Sequence, residues 1–164
     1  MTKPLWAPWR LEYVAQADAQ RGCVFCDEAA GTLAPTESLL VHAGKRAFAL
    51  LNKFPYSSGH LMVAPRRHVG TLAELTDDEA LEIHRLGVAG VDVLTRVYAP
   101  AGFNLGWNLG HSAGAGIADH VHLHVVPRWS GDTNVMPVLA DVKVIPEHLL
   151  ETRDRLREAW PATG

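Results

Sequence analysis

Apolar positions along the chain follow two rhythms. Residues 38–65 hold three short runs, "SLLVHA", "RAFALLN" and "HLMVAP", separated by "HAGK" and "KFPYSSG". Runs of this length bounded by turn residues predict three strands of an antiparallel meander. From Thr76 the rhythm changes: Ile83, Leu86, Gly90, Leu94 and Val97 recur at three or four residues, the spacing of one helix face. Thr76 and Glu79 have capping-box spacing, and the helix is predicted to end before Pro100. Gly87 and Gly90 inside it each cost about 1 kcal/mol relative to Ala, which predicts close packing against a sheet.

Further along, "GFNLGWNLG" reads as a strand, "HSAGAGIAD" as a glycine-rich loop, and "HVHLHVVPRW" as a strand that Pro127 should end or push to a sheet edge. Pro146 opens a C-terminal helix over 146–160, "EHLLETRDRLREAW". Residues 1–28, with Trp6, Trp9, Tyr13 and a cysteine pair, show no clean periodicity and read as an N-terminal arm; "AAGTLAP" reads as a loop. Several strands, a helix, two strands and a last helix predict an α+β fold, with helices on one side of an antiparallel sheet. At 164 residues one domain, 1–164, is expected.

Composition narrows the partners. Hydrophobic residues at 48%, charged residues at 20% and a formal net charge of -3 describe a globular protein without the basic face that duplex nucleic acid requires, so no nucleic-acid partner is expected. No apolar run is long enough to span a membrane and the N-terminus lacks a secretory pattern, so the expected location is the cytoplasm with no membrane contact. Two cysteines, Cys23 and Cys26, exclude a scaffold of several disulfides. In a reducing compartment C-x-x-C suggests a redox pair, half of a zinc site, or two small residues.

The chemistry concentrates in "DHVHLHVVPRW". Alternation along a strand places His120, His122 and His124 on one face and Val121, Leu123 and Val125 on the other. Three close imidazoles resist simultaneous protonation, so neutral rings are available as nucleophile, base or metal ligand. Two chemistries fit. A neutral imidazole can attack phosphorus, with backbone amides of the glycine-rich loop, at Gly114, Ala115 and Gly116, receiving phosphate oxygens. Alternatively the three histidines can hold a catalytic zinc.

"HVHLHVV" resembles the histidine-triad (HIT) superfamily at every position of its pattern, and the resemblance extends upstream through "LNKFPYSSGHLMVAPRRHV". "WAPWRLEYV" and "PRWSGDTN" are similar to the bacterial branch related to diadenosine tetraphosphate phosphorylases. The resemblance implies a five-stranded sheet with two main helices, and a homodimer whose sheets join. It implies that His122 attacks the α-phosphorus of a nucleotide to form a nucleotidyl-imidazole, which water or inorganic phosphate then opens. His124 would bond phosphate oxygens and His60 would complete the catalytic cluster. Asn52 would contact ribose, although it opens a turn and has a structural reason to be there. Asn108 would bond phosphate or the leaving group. Trp129, following the triad strand, is a candidate for stacking on adenine or for a dimer surface. The Gln, Ser or Thr common just before the first triad histidine is absent here, where Ala115 to Ala118 stand, so backbone amides, Asn108 and Ser112 are left to serve.

The resemblance also implies a structural zinc on Cys23, Cys26, His68 and His120. The leading function is then cleavage of dinucleoside polyphosphates by hydrolysis or phosphorolysis, with adenosine nucleotides as substrates and no organic cofactor. Its alternatives are hydrolysis of nucleoside phosphoramidates, zinc-dependent hydrolysis, and nucleotide binding without chemistry.

Overall fold

A computed structural model describes residues 22–110, 113, 119–132 and 147–161. Much of the N-terminal arm, Pro146, and the glycine-rich loop with Gly114, Ala115 and Gly116 lie outside the described residues.

The meander forms as the pattern predicts: β1 (Leu40–Ala43), β2 (Ala47–Leu51) and β3 (Leu61–Pro65) pair antiparallel in sequence. β4 (Gly102–Trp107) and β5 (Leu123–Arg128) complete an antiparallel five-stranded sheet in the order β1-β2-β3-β5-β4. β5 is therefore internal, and it runs one residue past Pro127, where an edge or a stop was expected. The proline is tolerated because β3 begins at Leu61, opposite Val125, so Pro127 lies beyond the end of that ladder. Its carbonyl accepts the Ser57 hydroxyl at 2.7 Å.

The long helix, α2 (Asp77–Tyr98), starts with the predicted capping box at Thr76 and Glu79. Its glycines do what their cost implied: a Cβ on Gly87 would stand 3.0 Å from Leu123 Cδ2, and one on Gly90 3.1 Å from Leu61 Cδ1. α3 (Leu149–Ala159) follows an N-cap at His148, whose ring accepts from Leu150 N. Ile83, Leu86, Val93 and Leu94 of α2 and Leu156 of α3 share one core with Ala49, Leu51, Leu61, Val63, Leu123 and Val125 of the sheet.

The helices do not all lie on that side. Cys23 is followed by a short helix, α1 (Val24–Ala30), which packs Phe25 on the opposite face against Phe48, Leu50, Met62 and Ala64. Seven residues are too few to establish a helical period, so the pattern read only an arm. Arg66 ties α1 down by donating to Ala29 O and Gly44 O, each at 3.0 Å. Glu28 accepts Leu39 N at 2.6 Å and the Ser38 hydroxyl at 2.7 Å. Among the described residues no helix is long and apolar enough to cross a membrane.

Candidate functional site

Alternation places the triad as predicted. Leu123 and Val125 enter the α2 core, and the three imidazoles sit on the α1 face. Only His124 belongs to the β5 ladder, since His120 and His122 precede it. All three are buried.

Each ring has a fixed proton. His122 Nδ1–H donates to the backbone carbonyl of His120 at 2.8 Å, which leaves the lone pair on Nε2. Tyr56 N–H donates to His60 Nδ1 at 3.0 Å, so the His60 proton is on Nε2 and goes to His124 Nδ1 at 2.9 Å. That acceptance puts the His124 proton on Nε2, a buried donor with no hydrogen-bond partner among the described residues. The His122 and His124 rings meet edge to face at 4.8 Å, and Phe25 lies against His122 at 4.7 Å.

Burial holds the His122 and His124 imidazoles neutral. It pushes His122 below the usual histidine range against the opposing pull of the His120 carbonyl. His124 goes down to about 4, through burial first and then the neighbouring His122.

The ring nitrogens of His120 have other partners. Its Nε2–H donates to Pro65 O at 2.9 Å, so Nδ1 turns its lone pair to Cys23 Sγ at 3.3 Å and Cys26 Sγ at 3.7 Å. His68 Nδ1 is 3.3 Å from Cys26 Sγ. The ligand atoms of Cys23, Cys26, His68 and His120 all lie within 4.8 Å of one another and could hold a metal ion. A tetrahedral zinc spaces sulfur and nitrogen ligands about 3.5 Å apart, so the donor set fits one. Burial, and then the neighbouring Cys23 thiol, raise Cys26 to about 11. Neither His122 nor His124 belongs to the group, so the three triad histidines do not converge on one metal position.

The remaining expected residues divide. Asn52 Oδ1 accepts Phe54 N at 2.9 Å, the turn role, and its amide reaches His60 Nδ1 at 3.4 Å. Asn108 lines a cleft of about 430 Å³ together with His124. Trp129 is half-buried beyond β5 and is not among the residues lining that cleft. Three others in the site were not anticipated: Phe25, Tyr56 and Arg128. Arg128 alone had a signal, since it shares strand parity with His124.

Known proteins resemble this chain in sequence and in fold. The chain is 42% identical over 162 residues to a Mycobacterium tuberculosis protein named AP-4-A phosphorylase, covering 95% of this chain and 83% of that one. Its fold is similar to a zinc-bound histidine triad family protein of Mycobacterium smegmatis, with TM-score 0.68 and 24% identity, over 85% of this chain and 93% of that one. A hypothetical histidine triad nucleotide-binding protein of Sulfolobus tokodaii gives TM-score 0.68 at 27% identity, over 84% of this chain and 91% of that one. The HIT domain family matches residues 35–131, and with the triad, fold and relatives in accord the chain belongs to the HIT family.

Proposed function

We propose that this protein cleaves dinucleoside polyphosphates such as diadenosine tetraphosphate at the α-phosphorus, through a covalent nucleotidyl group on His122. The observation that carries this reading is the buried, unpartnered His124 Nε2–H beside a neutral His122 whose Nε2 holds the lone pair. A buried donor without an acceptor costs about 1–3 kcal/mol, and an oxygen of the substrate phosphate relieves it.

His122 Nε2 attacks phosphorus while its Nδ1–H stays on the His120 carbonyl, which stabilises the cationic ring of the intermediate. The leaving phosphate oxygen departs with the bonding pair and needs no proton, since the second ionisation of a phosphate lies near pH 6. His124, neutral down to about pH 4, offers it a hydrogen bond rather than a proton. A leaving amine needs the proton, which favours polyphosphates over phosphoramidates as substrates. Water or inorganic phosphate then attacks phosphorus, and the P–N pair returns to His122.

In the same reading His60 orients His124, Asn52 meets ribose, and Asn108 and the amides of Gly114, Ala115 and Gly116 hold phosphate oxygens. Trp129 is left for a dimer surface. Cys23, Cys26, His68 and His120 would hold a zinc ion, which would fix the segment whose carbonyl orients His122. β4 is an edge strand with Leu105 half exposed, which suits a homodimer formed by pairing sheet edges. The similarity to a protein named AP-4-A phosphorylase supports phosphorolysis.

The test is to supply diadenosine tetraphosphate with and without inorganic phosphate and identify the products. ADP plus ATP supports a phosphorylase and AMP plus ATP a hydrolase. No cleavage by folded protein overturns the reading.

A further inference from the structure

The face of the sheet that carries the histidines is roofed over only part of its width. α1 covers β2 and β3 through Phe25, whose ring ends against His122. Past that point, over β4 and β5, the same face is the cleft of about 430 Å³. His124, whose buried Nε2–H has no partner among the described residues, is one of its lining residues. Arg128 lines it four residues further along β5, about 13 Å by strand rise and on the same side by alternation.

Among the described residues lining the cleft, Arg128 is the one arginine or lysine. Its guanidinium is oriented by its neighbours: Nε donates to Asp132 Oδ2 at 2.6 Å, one Nη2–H to Asp132 Oδ1 at 3.0 Å, and one Nη1–H to Asn104 Oδ1 at 2.9 Å. A guanidinium has five N–H groups, so two remain to donate. The side chain is 49% exposed, so the guanidinium is not closed off from a ligand in the cleft. A plane fixed by a bidentate carboxylate loses little further entropy on meeting a phosphate.

We propose that this cleft is a phosphate subsite and that Arg128 is its specificity-determining residue. It receives the phosphates of the leaving nucleotide in the first displacement and inorganic phosphate in the second. The inference rests on the reading of His122 as nucleophile. With His122 on one side of the attacked phosphorus, the leaving oxygen departs from the opposite side. The acceptor that breaks the P–N bond must enter from that same side. In the first step a P–N bond forms and the P–O bond to ATP breaks. In the second an oxygen of inorganic phosphate bonds to phosphorus, the P–N pair returns to His122, and ADP is released. One cationic contact on this side therefore serves both events and favours phosphate over water.

The experiment compares wild type, Arg128→Gln and Arg128→Lys on diadenosine tetraphosphate across a range of inorganic phosphate concentrations, with nucleotide products separated by ion exchange. Adenosine 5′-phosphoramidate without phosphate is the reference substrate, because its leaving group carries no phosphate. Wild type should give ADP plus ATP. Arg128→Gln should raise the KM for phosphate about tenfold or more, the effect of losing a charged hydrogen bond, and shift product from ADP to AMP. The phosphoramidate rate should change far less than that KM, and Arg128→Lys should fall between. If Arg128→Gln does not fold, Arg128→Lys carries the same comparison with the cation kept beside Asp132. An unchanged phosphate KM and ADP:AMP ratio in folded variants overturns the subsite. AMP from wild type at every phosphate concentration removes its acceptor role. Failure of wild type to cleave diadenosine tetraphosphate at all defeats instead the function on which the subsite rests.

Discussion

The backbone carbonyl of His120 accepts the Nδ1–H of His122 at 2.8 Å, while the His120 ring itself turns Nδ1 toward Cys23 and Cys26. One residue thus joins the candidate metal-binding group to the candidate nucleophile. Its peptide oxygen sets the His122 tautomer and its side chain belongs to a different cluster.

Replacing the nucleophile tests the chemistry directly. His122→Ala should lower kcat on diadenosine tetraphosphate by roughly 10³-fold or more. Its thermal midpoint should stay within a few degrees of wild type, since the main core lies on the other face of the sheet. Mass spectrometry of quenched wild type should find a nucleotidyl adduct that the variant lacks. An active His122→Ala protein would end the covalent mechanism.

Metal removal should loosen the protein without unfolding it. α1 is held by Phe25 in its own core, by Glu28 and by Arg66, none of which is a metal ligand. Chelation should lower the thermal midpoint by roughly 10 °C, the scale expected for loss of a ligand held well above its dissociation constant. Circular dichroism at 25 °C should stay native. One zinc per chain should bind to wild type and none tightly to Cys26→Ala, as read by elemental analysis after dialysis. Equal zinc retention by both proteins would place the metal elsewhere.

Stability should fall on acidification through a defined window. His124 is held near 4 in the folded state, against an ordinary value of 6.5, so the unfolded chain binds more protons as pH drops. The contribution is complete above pH 6.5 and is lost progressively down to about pH 4, amounting to at most about 3 kcal/mol. His122, His60 and Tyr56 face His124 and stay unchanged in the comparison. Urea melts of wild type and His124→Asn across pH 7 to 4 should converge, with the variant curve flatter. Parallel curves would assign the acid loss to other groups.

Ala99 ends α2 in the left-handed region at φ 45° and ψ 54°, a conformation that costs an L residue about 1 kcal/mol. Ala99→Gly should therefore stabilise the protein by about 1 kcal/mol and raise the thermal midpoint by roughly 2–4 °C. Calorimetry decides it, and a lower midpoint would mean that the Ala99 methyl makes contacts worth more than the strain.

What the sequence determined by itself is whatever depends on periodicity and local chemistry. The meander, the limits of α2, the packing role of Gly87 and Gly90, and the shared face of His120, His122 and His124 follow from residue spacing, because alternation and helical pitch operate over a few residues. The resemblance of "HVHLHVV" to the HIT pattern anticipated the family and the cysteine–histidine cluster. Tertiary structure decided the rest. Cys23 and His120 are 97 residues apart in sequence, and only the docking of α1 brings them together. The order β3-β5-β4 let Pro127 stand inside an internal strand, because β3 stops short of it. The tautomers of His122, His60 and His124 depend on the carbonyl of His120 and the Tyr56 amide. Arg128 enters the site through strand parity that was legible, but its cleft exists because α1 roofs only part of the sheet, a consequence of long-range packing that no local pattern contains.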